Sequence, residues 1–156
     1  MAPAKEYLRQ IRQEQIEIHA LTSACIRWEL SASAPAIRYD IPRVQTSPKD
    51  HLSQAAWDYL ELSATVKDRI KALSIRKTNT IYMVGNMREP IQRAVIELYY
   101  LALRKDGQLM RFEDVAKTLH YQTDSVKKIH GQALRGFYEA NKEEIDTWIR
   151  EKDAQK

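Results

Sequence analysis

Apolar residues recur at intervals of three and four along most of this chain, which is the spacing of one face of an α-helix. Between residues 7 and 30 the repeating positions are Leu8, Ile11, Gln15, Ile18, Thr22 and Cys25. Beyond Asp50 they are Leu52, Ala56, Tyr59, Leu62, Val66, Ile70 and Leu73, and Gly85 with Asn86 supplies a stop. No segment has a convincing strand pattern. The chain is therefore predicted to be all-α.

The two long apolar seams have similar lengths and are separated by residues 31–50, which contain Pro35, Pro42 and Pro48. Proline cannot continue a helix, so this segment is predicted to be a linker. We expect long helices over residues 5–30 and 50–83, packed against each other as an antiparallel, coiled-coil-like hairpin. This hairpin with its linker forms the predicted arm, residues 1–85.

After Gly85 the pattern changes to shorter helices. Pro90 suits the first turn of a helix that we expect to be mostly buried, with the apolar stripe Ile91, Ala94, Val95, Leu98, Leu101 and Ala102. A break at Gly107 is followed by a helix with the apolar positions Phe112, Val115, Ala116 and Leu119. The next helix should bury Val126, Ile129, Ala133, Leu134 and Phe137, and Thr123 is expected to cap it.

The short helices define two further predicted units. Residues 86–140 form a domain around the helix pair, and residues 141–156 form a short C-terminal helix or tail. In that tail Asn141 and Glu144 can cap the helix, while Ile145, Trp148 and Ile149 pack back on the domain or on a second copy. This division predicts that a chain beginning near Met87 still folds.

The second helix of the pair has a polar face opposite its apolar stripe. At 100° per residue from Val126, that face holds Asp124, Lys127, Lys128, Gly131 and Arg135. Cations on such a face suit phosphates, and residues at the helix N-terminus suit base edges in a major groove. The predicted DNA-binding residues are Gln122, Thr123, Asp124, Ser125, Lys127, Lys128, Gly131 and Arg135. Local chemistry leaves open a plain solvated face, with Gly131 packed against another helix.

Residues 112–134, FEDVAKTLHYQTDSVKKIHGQAL, resemble the helix-turn-helix of region four of bacterial sigma factors. They are more similar to the ArpU and RinA-type transcriptional regulators of phages and prophages. The resemblance covers nearly the whole chain and is most specific at residues 6–12 (EYLRQIR), 95–101 (VIELYYL) and 126–134 (VKKIHGQAL). It implies a sequence-specific regulator that binds double-stranded promoter DNA and activates late or packaging genes. Two positions depart from the pattern: His120 replaces the usual glycine of the turn, and Gln122 replaces a frequent capping serine.

The net charge and the chemically reactive residues limit the classes of function that are possible. A net charge of +4 and a pI near 9.1 permit nucleic-acid binding without deciding it. The four histidines and the single cysteine, Cys25, lack metal-ligand spacing, and no catalytic motif is present. We therefore expect neither an enzyme nor a bound metal or cofactor. No apolar run could span a bilayer and the N-terminus lacks a signal core, which predicts a cytoplasmic protein. The resemblance implies that this cytoplasm is that of a bacterial host.

Two alternative functions remain open at this level. A phage small terminase subunit would use its helix-turn-helix to recognise packaging-site DNA and would form rings. A non-DNA interaction protein would use its helical arm to bind another protein, and its helix pair would be structural only. The sequence leaves the operator, the direction of regulation, contact with host RNA polymerase and homodimerisation open.

Overall fold

A computed structural model describes residues 2–33 and 51–154 of the chain. Over these residues there are six α-helices: α1 (Ala2–Ser33), α2 (His51–Gly85), α3 (Pro90–Ile96), α4 (Phe112–Leu119), α5 (Thr123–Ala140) and α6 (Lys142–Ala154). The strand-like pairing in the described part is one isolated bridge between Leu103 and Leu109. The predicted all-α class is confirmed. The predicted linker lies outside the described residues, except for residues 31–33, which continue α1.

The long helices α1 and α2 run antiparallel. Tyr7 Oη lies 3.1 Å from Thr80 Oγ1, and Arg76 donates a 2.6 Å hydrogen bond to the carboxylate of Glu14. Farther along, the guanidinium of Arg69 bonds the carboxylate of Glu17 at 2.8 Å. Residue numbers thus rise along α1 as they fall along α2, which defines the antiparallel register.

The predicted seam between these helices is only partly buried. On α1, Leu8, Ile11, Gln15 and Cys25 are buried, but Thr22 is exposed, and on α2 Leu62 is 52% exposed. The prediction was wrong at Thr22 and Leu62. A straight α-helix rotates about 20° per heptad away from a 3.5-residue seam, so a seam does not stay buried along such long helices. The predicted positions Leu52, Ala56 and Tyr59 lie outside the described side chains.

The main core lies where the ends of the long helices meet the short helices. It consists of Ala4, Tyr7, Leu8, Ile11, Met83, Val84, Met87, Ile96, Tyr100, Leu101, Ala133, Leu134, Phe137 and Ile145. A second cluster of Val95, Val115, Ala116 and Val126 lies between α3, α4 and α5. The division into 1–85, 86–140 and 141–156 stays a prediction about folding units. The main core contains residues from all three ranges.

A π-helical turn, residues Glu97–Leu101, extends α3, and the sequence pattern did not predict it. The N–H of Ala102 donates to the carbonyl of Glu97 at 3.0 Å, five residues back. Tyr100 in this turn and Ile96 just before it are buried, while Ile91 and Leu98 are only half-buried. The expected stripe is therefore correct at Val95 and Leu101 but not along its whole length.

The turn between α4 and α5 is set by His120, which has a left-handed backbone with φ 57° and ψ 40°. The N–H groups of Tyr121 and His120 donate to the carbonyls of Ala116 (2.9 Å) and Lys117 (3.4 Å), the pattern of a Schellman motif. Because the chain reverses at His120, α5 begins one residue before the predicted position. Gln122 occupies the N-cap position without a side-chain bond and Thr123 is already helical, so the expected Thr123 cap is wrong.

The side chain of Asn141 does not cap α6 as predicted, because it joins α2 to α5. Its Nδ2 donates to the carbonyls of Met83 and Phe137, both at 2.9 Å, and its Oδ1 accepts from Asn86 at 2.9 Å. On α6 the predicted packing is confirmed, since Ile145 is buried and Trp148 and Ile149 pack partly against the core.

Candidate nucleic-acid interface

Helix α5 carries the predicted DNA-binding residues along its solvent side. Gln122, Asp124, Lys127, Lys128 and Arg135 are exposed, while Thr123, Ser125 and Gly131 are half-buried. On a regular helix, residues 124, 127, 128, 131 and 135 fall within one stripe, which extends about 16 Å from Asp124 to Arg135. We call these five residues the α5 stripe. The opposite side of α5 buries Val126, Ala133 and Phe137, so packing fixes which side faces solvent.

The cations of the α5 stripe are largely unengaged. Lys127 Nζ lies 3.3 Å from Asp124 Oδ1, but the Asp124 side chain is 86% exposed, so solvent screens this ion pair strongly. Neither Lys128 nor Arg135 has a hydrogen bond or ion pair with the described part of the chain. The α5 N-terminus adds the positive end of a helix dipole. The stripe can therefore meet an external polyanion without first losing strong internal contacts.

Gly131 lies in the middle of the α5 stripe and faces open space. A Cβ atom added there would meet no other heavy atom of the described structure within 4 Å. The alternative that Gly131 packs against another helix is therefore wrong. Gly136 differs, because its added Cβ would lie 2.8 Å from Gln92 Oε1. Since mid-helix glycine costs about 1 kcal/mol relative to alanine and nothing among the described residues requires Gly131, close approach by an external molecule is a physical reason for it.

A cluster of rings holds α5 against the π-helical turn and α4. Tyr99 and Phe112 stack with ring centroids 4.3 Å apart, and His130 Nε2 lies 2.9 Å from Tyr100 Oη. Burial, with help from the positive charges of Lys5 and Arg12, lowers the pKa of His130 to about 4. A neutral, packed imidazole results. His130 therefore supports the position of α5.

The N-terminal part of α1 contributes cations next to α5 that sequence reasoning missed. The Arg12 guanidinium lies 3.8 Å above the Tyr99 ring centroid and donates to the Met110 carbonyl at 2.7 Å. Lys5 and Arg9 line the same cleft as Arg12 and Lys127. Their spacing of four and three residues was a readable signal for a second, basic face of α1. It was overlooked because the apolar seam alone was used to orient that helix.

Comparisons with protein-family models, curated proteins and solved structures find no significant match for this chain. Among the described helices, none combines the length and apolar character that crossing a bilayer requires. In the same ranges, no group of three or more histidine, cysteine, aspartate and glutamate side chains is arranged to hold a metal ion.

Proposed function

We propose that this protein is a sequence-specific DNA-binding regulator of transcription. In this proposal α4 and α5 form a helix-turn-helix of the sigma region-four type, and α1 and α2 form an antiparallel hairpin arm. The observation that carries the proposal is the α5 stripe, whose Lys128 and Arg135 are unpaired within the described residues and whose Gly131 faces open space. A rigid helix with a free basic face and no internal need for its glycine suits a major groove.

The residues of α5 have distinct proposed roles. Gln122, Thr123, Asp124 and Ser125 stand at the N-terminus of the helix, where side chains reach base edges. Lys127, Lys128 and Arg135 contact phosphates, which supplies affinity and fixes the position of the helix. Gly131 lets the helix backbone come close to the groove wall. The tight turn at His120 sets α4 across the DNA backbone.

The biological class is the finer part of the proposal. The resemblance of residues 126–134 to ArpU and RinA-type regulators supports an activator of phage or prophage late or packaging genes. Contact with host RNA polymerase would make this activation direct, and homodimerisation would match a two-fold symmetric operator. Both are separate additions, because the α5 stripe can bind DNA without either.

Selection from a random duplex pool, followed by binding measurements over a range of salt concentrations, tests the proposal. Lys128→Ala and Arg135→Ala should each weaken binding and reduce the salt slope by about one, whereas Gln122→Ala should change sequence preference. Lys71→Ala, at an exposed position of α2 about 18 Å along the helix from Met83, is the control and should change neither.

Three outcomes would redirect the proposal. Absence of salt-dependent duplex binding would favour the interaction protein and overturn DNA recognition. Ring-shaped oligomers with a preference for packaging-site DNA would favour the small terminase subunit. Equal effects of Lys71→Ala and Lys128→Ala would show that binding depends on overall charge, so the α5 stripe would not be the site.

A further inference from the structure

The first turns of α1 place positive charges beside α5, at a cleft of about 360 Å³ between the two helices. Its charged lining residues are Lys5, Arg9 and Arg12 from α1 and Lys127 from α5, and among the described residues no carboxylate lines it. Lys5 and Arg9 are exposed, and neither has a hydrogen bond or ion pair within the described ranges. Lys127 is paired with Asp124, but the positive charges of Lys5, Arg9 and Arg12 lie close together, and an anion bound between them would offset their mutual repulsion.

The floor of the cleft offers no compensating negative charge. It is formed by the rings of Tyr99, Tyr100, Phe112 and His130. The Tyr100 hydroxyl is engaged with His130, and burial raises the pKa of Tyr100 to about 12, so this phenol stays neutral. These rings therefore give the cleft an uncharged surface next to its cations, which suits a compact anion.

The cations of the cleft differ in how many contacts they make with the rest of the protein. Arg12 is fixed by the Tyr99 ring and the Met110 carbonyl, so it shapes the cleft wall. Lys5 and Arg9 are exposed and lie one helical turn apart on α1, so both can turn towards one ligand. Lys127 belongs both to the cleft and to the α5 stripe. The cleft is thus continuous with the surface proposed to face DNA.

We propose that this cleft binds a backbone phosphate of the same duplex that α5 contacts, with Lys5 and Arg9 as the principal ligands. This inference rests on the proposed function and adds α1 as a second, flanking contact. A helix in a major groove about 12 Å wide lies between two phosphate strands. Cations on the helix immediately beside α5 are placed to meet one of those strands. The arm thereby becomes part of the DNA-binding surface.

The test uses the full chain with the double substitution Lys5→Gln and Arg9→Gln. Each neutralised phosphate contributes about 0.9 to the salt slope, and Lys5 and Arg9 share one phosphate, so the double variant should lose about 0.9. Between 50 and 200 mM salt, the variant's dissociation constant should therefore rise about 3.5-fold less than that of the unmodified protein. The preferred DNA sequence should stay the same, because phosphates carry no base identity. Arg9→Lys should retain the slope, and Lys71→Gln is the matched surface control.

Ethylation of single phosphates locates the contact. One ethylated phosphate beside the groove should interfere with binding of the unmodified protein and lose this effect in the double variant. A thermal melt of each variant checks that the fold is intact.

If Lys128→Ala weakens binding while Lys5→Gln with Arg9→Gln leaves the slope unchanged, the cleft inference is overturned and the proposed function stands. If the unmodified protein binds no duplex, both are overturned. The cleft inference would also be overturned if inorganic phosphate shifted the resonances of Lys5 and Arg9 while the double variant kept the DNA salt slope of the unmodified protein. The cleft would then bind a free anion.

Discussion

At the residue scale, two buried or half-buried polar side chains form hydrogen bonds that fix the contacts between neighbouring helices. Asn141 is fully buried, and its carboxamide bonds to Met83, Phe137 and Asn86 at the junction of α2, α5 and α6. Each of its polar atoms has a partner, as burial requires. His130 is similar, since its Nε2 lies within hydrogen-bonding distance of Tyr100 while the surrounding rings exclude water. Both residues hold α5 in position.

Replacing Asn141 with alanine should lower the free energy of unfolding by about 2–3 kcal/mol. The change removes three hydrogen bonds and leaves the buried carbonyl of Met83 without this partner. Asn79→Ala, at an exposed position of α2, should stay within about 0.5 kcal/mol of the unmodified protein. Urea unfolding measures both. Equal stability of the two variants would show that the Asn141 contacts contribute nothing.

His130 should make stability depend on pH below neutrality. Its folded pKa of about 4 lies below the unfolded value of 6.5, so the unfolded chain takes up the proton first. The contribution of this group to stability is therefore complete well above pH 6.5, falls as the pH drops from 6.5 towards 4, and then stops falling from this cause. Urea unfolding at pH 7, 5.5 and 4.5 follows this loss.

His130→Gln removes the titrating imidazole. It therefore separates the effect of this group on stability from the effect of carboxylates that titrate in the same pH range. The variant should be less stable at pH 7, because it loses ring packing, but its stability should decline less steeply between pH 6.5 and 4. Gln132→Ala, at an exposed position of the same helix, should retain the steeper decline. Parallel curves for His130→Gln and the unmodified protein would mean that the folded imidazole protonates as readily as the unfolded one.

At the scale of single helices, α5 has one side packed against the protein and one side exposed to solvent. A substitution at Gly131 should affect fold stability and duplex binding in opposite directions. Gly131→Ala should stabilise the fold by up to about 1 kcal/mol, since alanine favours helix and the new methyl group meets open space. The same methyl group should weaken duplex binding if the groove approaches this point. Thermal melts and binding isotherms on one preparation measure both effects.

Gly85→Ala is the control for that substitution, because its added Cβ also meets nothing within 4 Å and it lies at the end of α2. Duplex affinity should be unchanged in this variant. If Gly131→Ala binds as tightly as the unmodified protein, the DNA does not come close to the middle of α5.

Helix ranges were predictable where the pattern is local, and side-chain partners were not. The apolar spacing in α4 and α5 is complete within each helix, so sequence alone located the α5 stripe. The left-handed turn at His120 falls where the resemblance indicated glycine, but its effect on the start of α5 depends on backbone geometry. Lys5 and Arg9 were missed because their neighbours on α5 lie more than a hundred residues away. The contact between Arg12 and the carbonyl of Met110 spans 98 residues and leaves no local pattern.

At the scale of the whole molecule, the main core joins both ends of the chain. The division read from the sequence predicts that a chain beginning near Met87 folds, but six of the fourteen core residues precede that point: Ala4, Tyr7, Leu8, Ile11, Met83 and Val84. Their burial contributes on the order of 10 kcal/mol, which is comparable with the total stability of a typical domain. The packing therefore predicts that the shortened chain lacks a cooperative thermal transition by circular dichroism.

A milder change tests the same dependence within the full chain. Leu8→Ala should cost about 2–5 kcal/mol, because Leu8 is fully buried in the main core. Ile16→Ala, on the same helix but with Ile16 49% exposed, should cost far less. A cooperative transition in the chain starting at Met87, together with a small effect of Leu8→Ala, would support the division into separate folding units.

The contact between the rings of Tyr7 and Trp148, whose centroids lie 5.2 Å apart, has a consequence for timing during synthesis. A ribosome adds about 5–20 residues per second, so roughly 7–28 s separate the appearance of these two side chains. For most of that interval α5 and α6 have not been synthesised and do not cover the apolar face of α1. This face is therefore more exposed to aggregation during synthesis than it is in the folded protein.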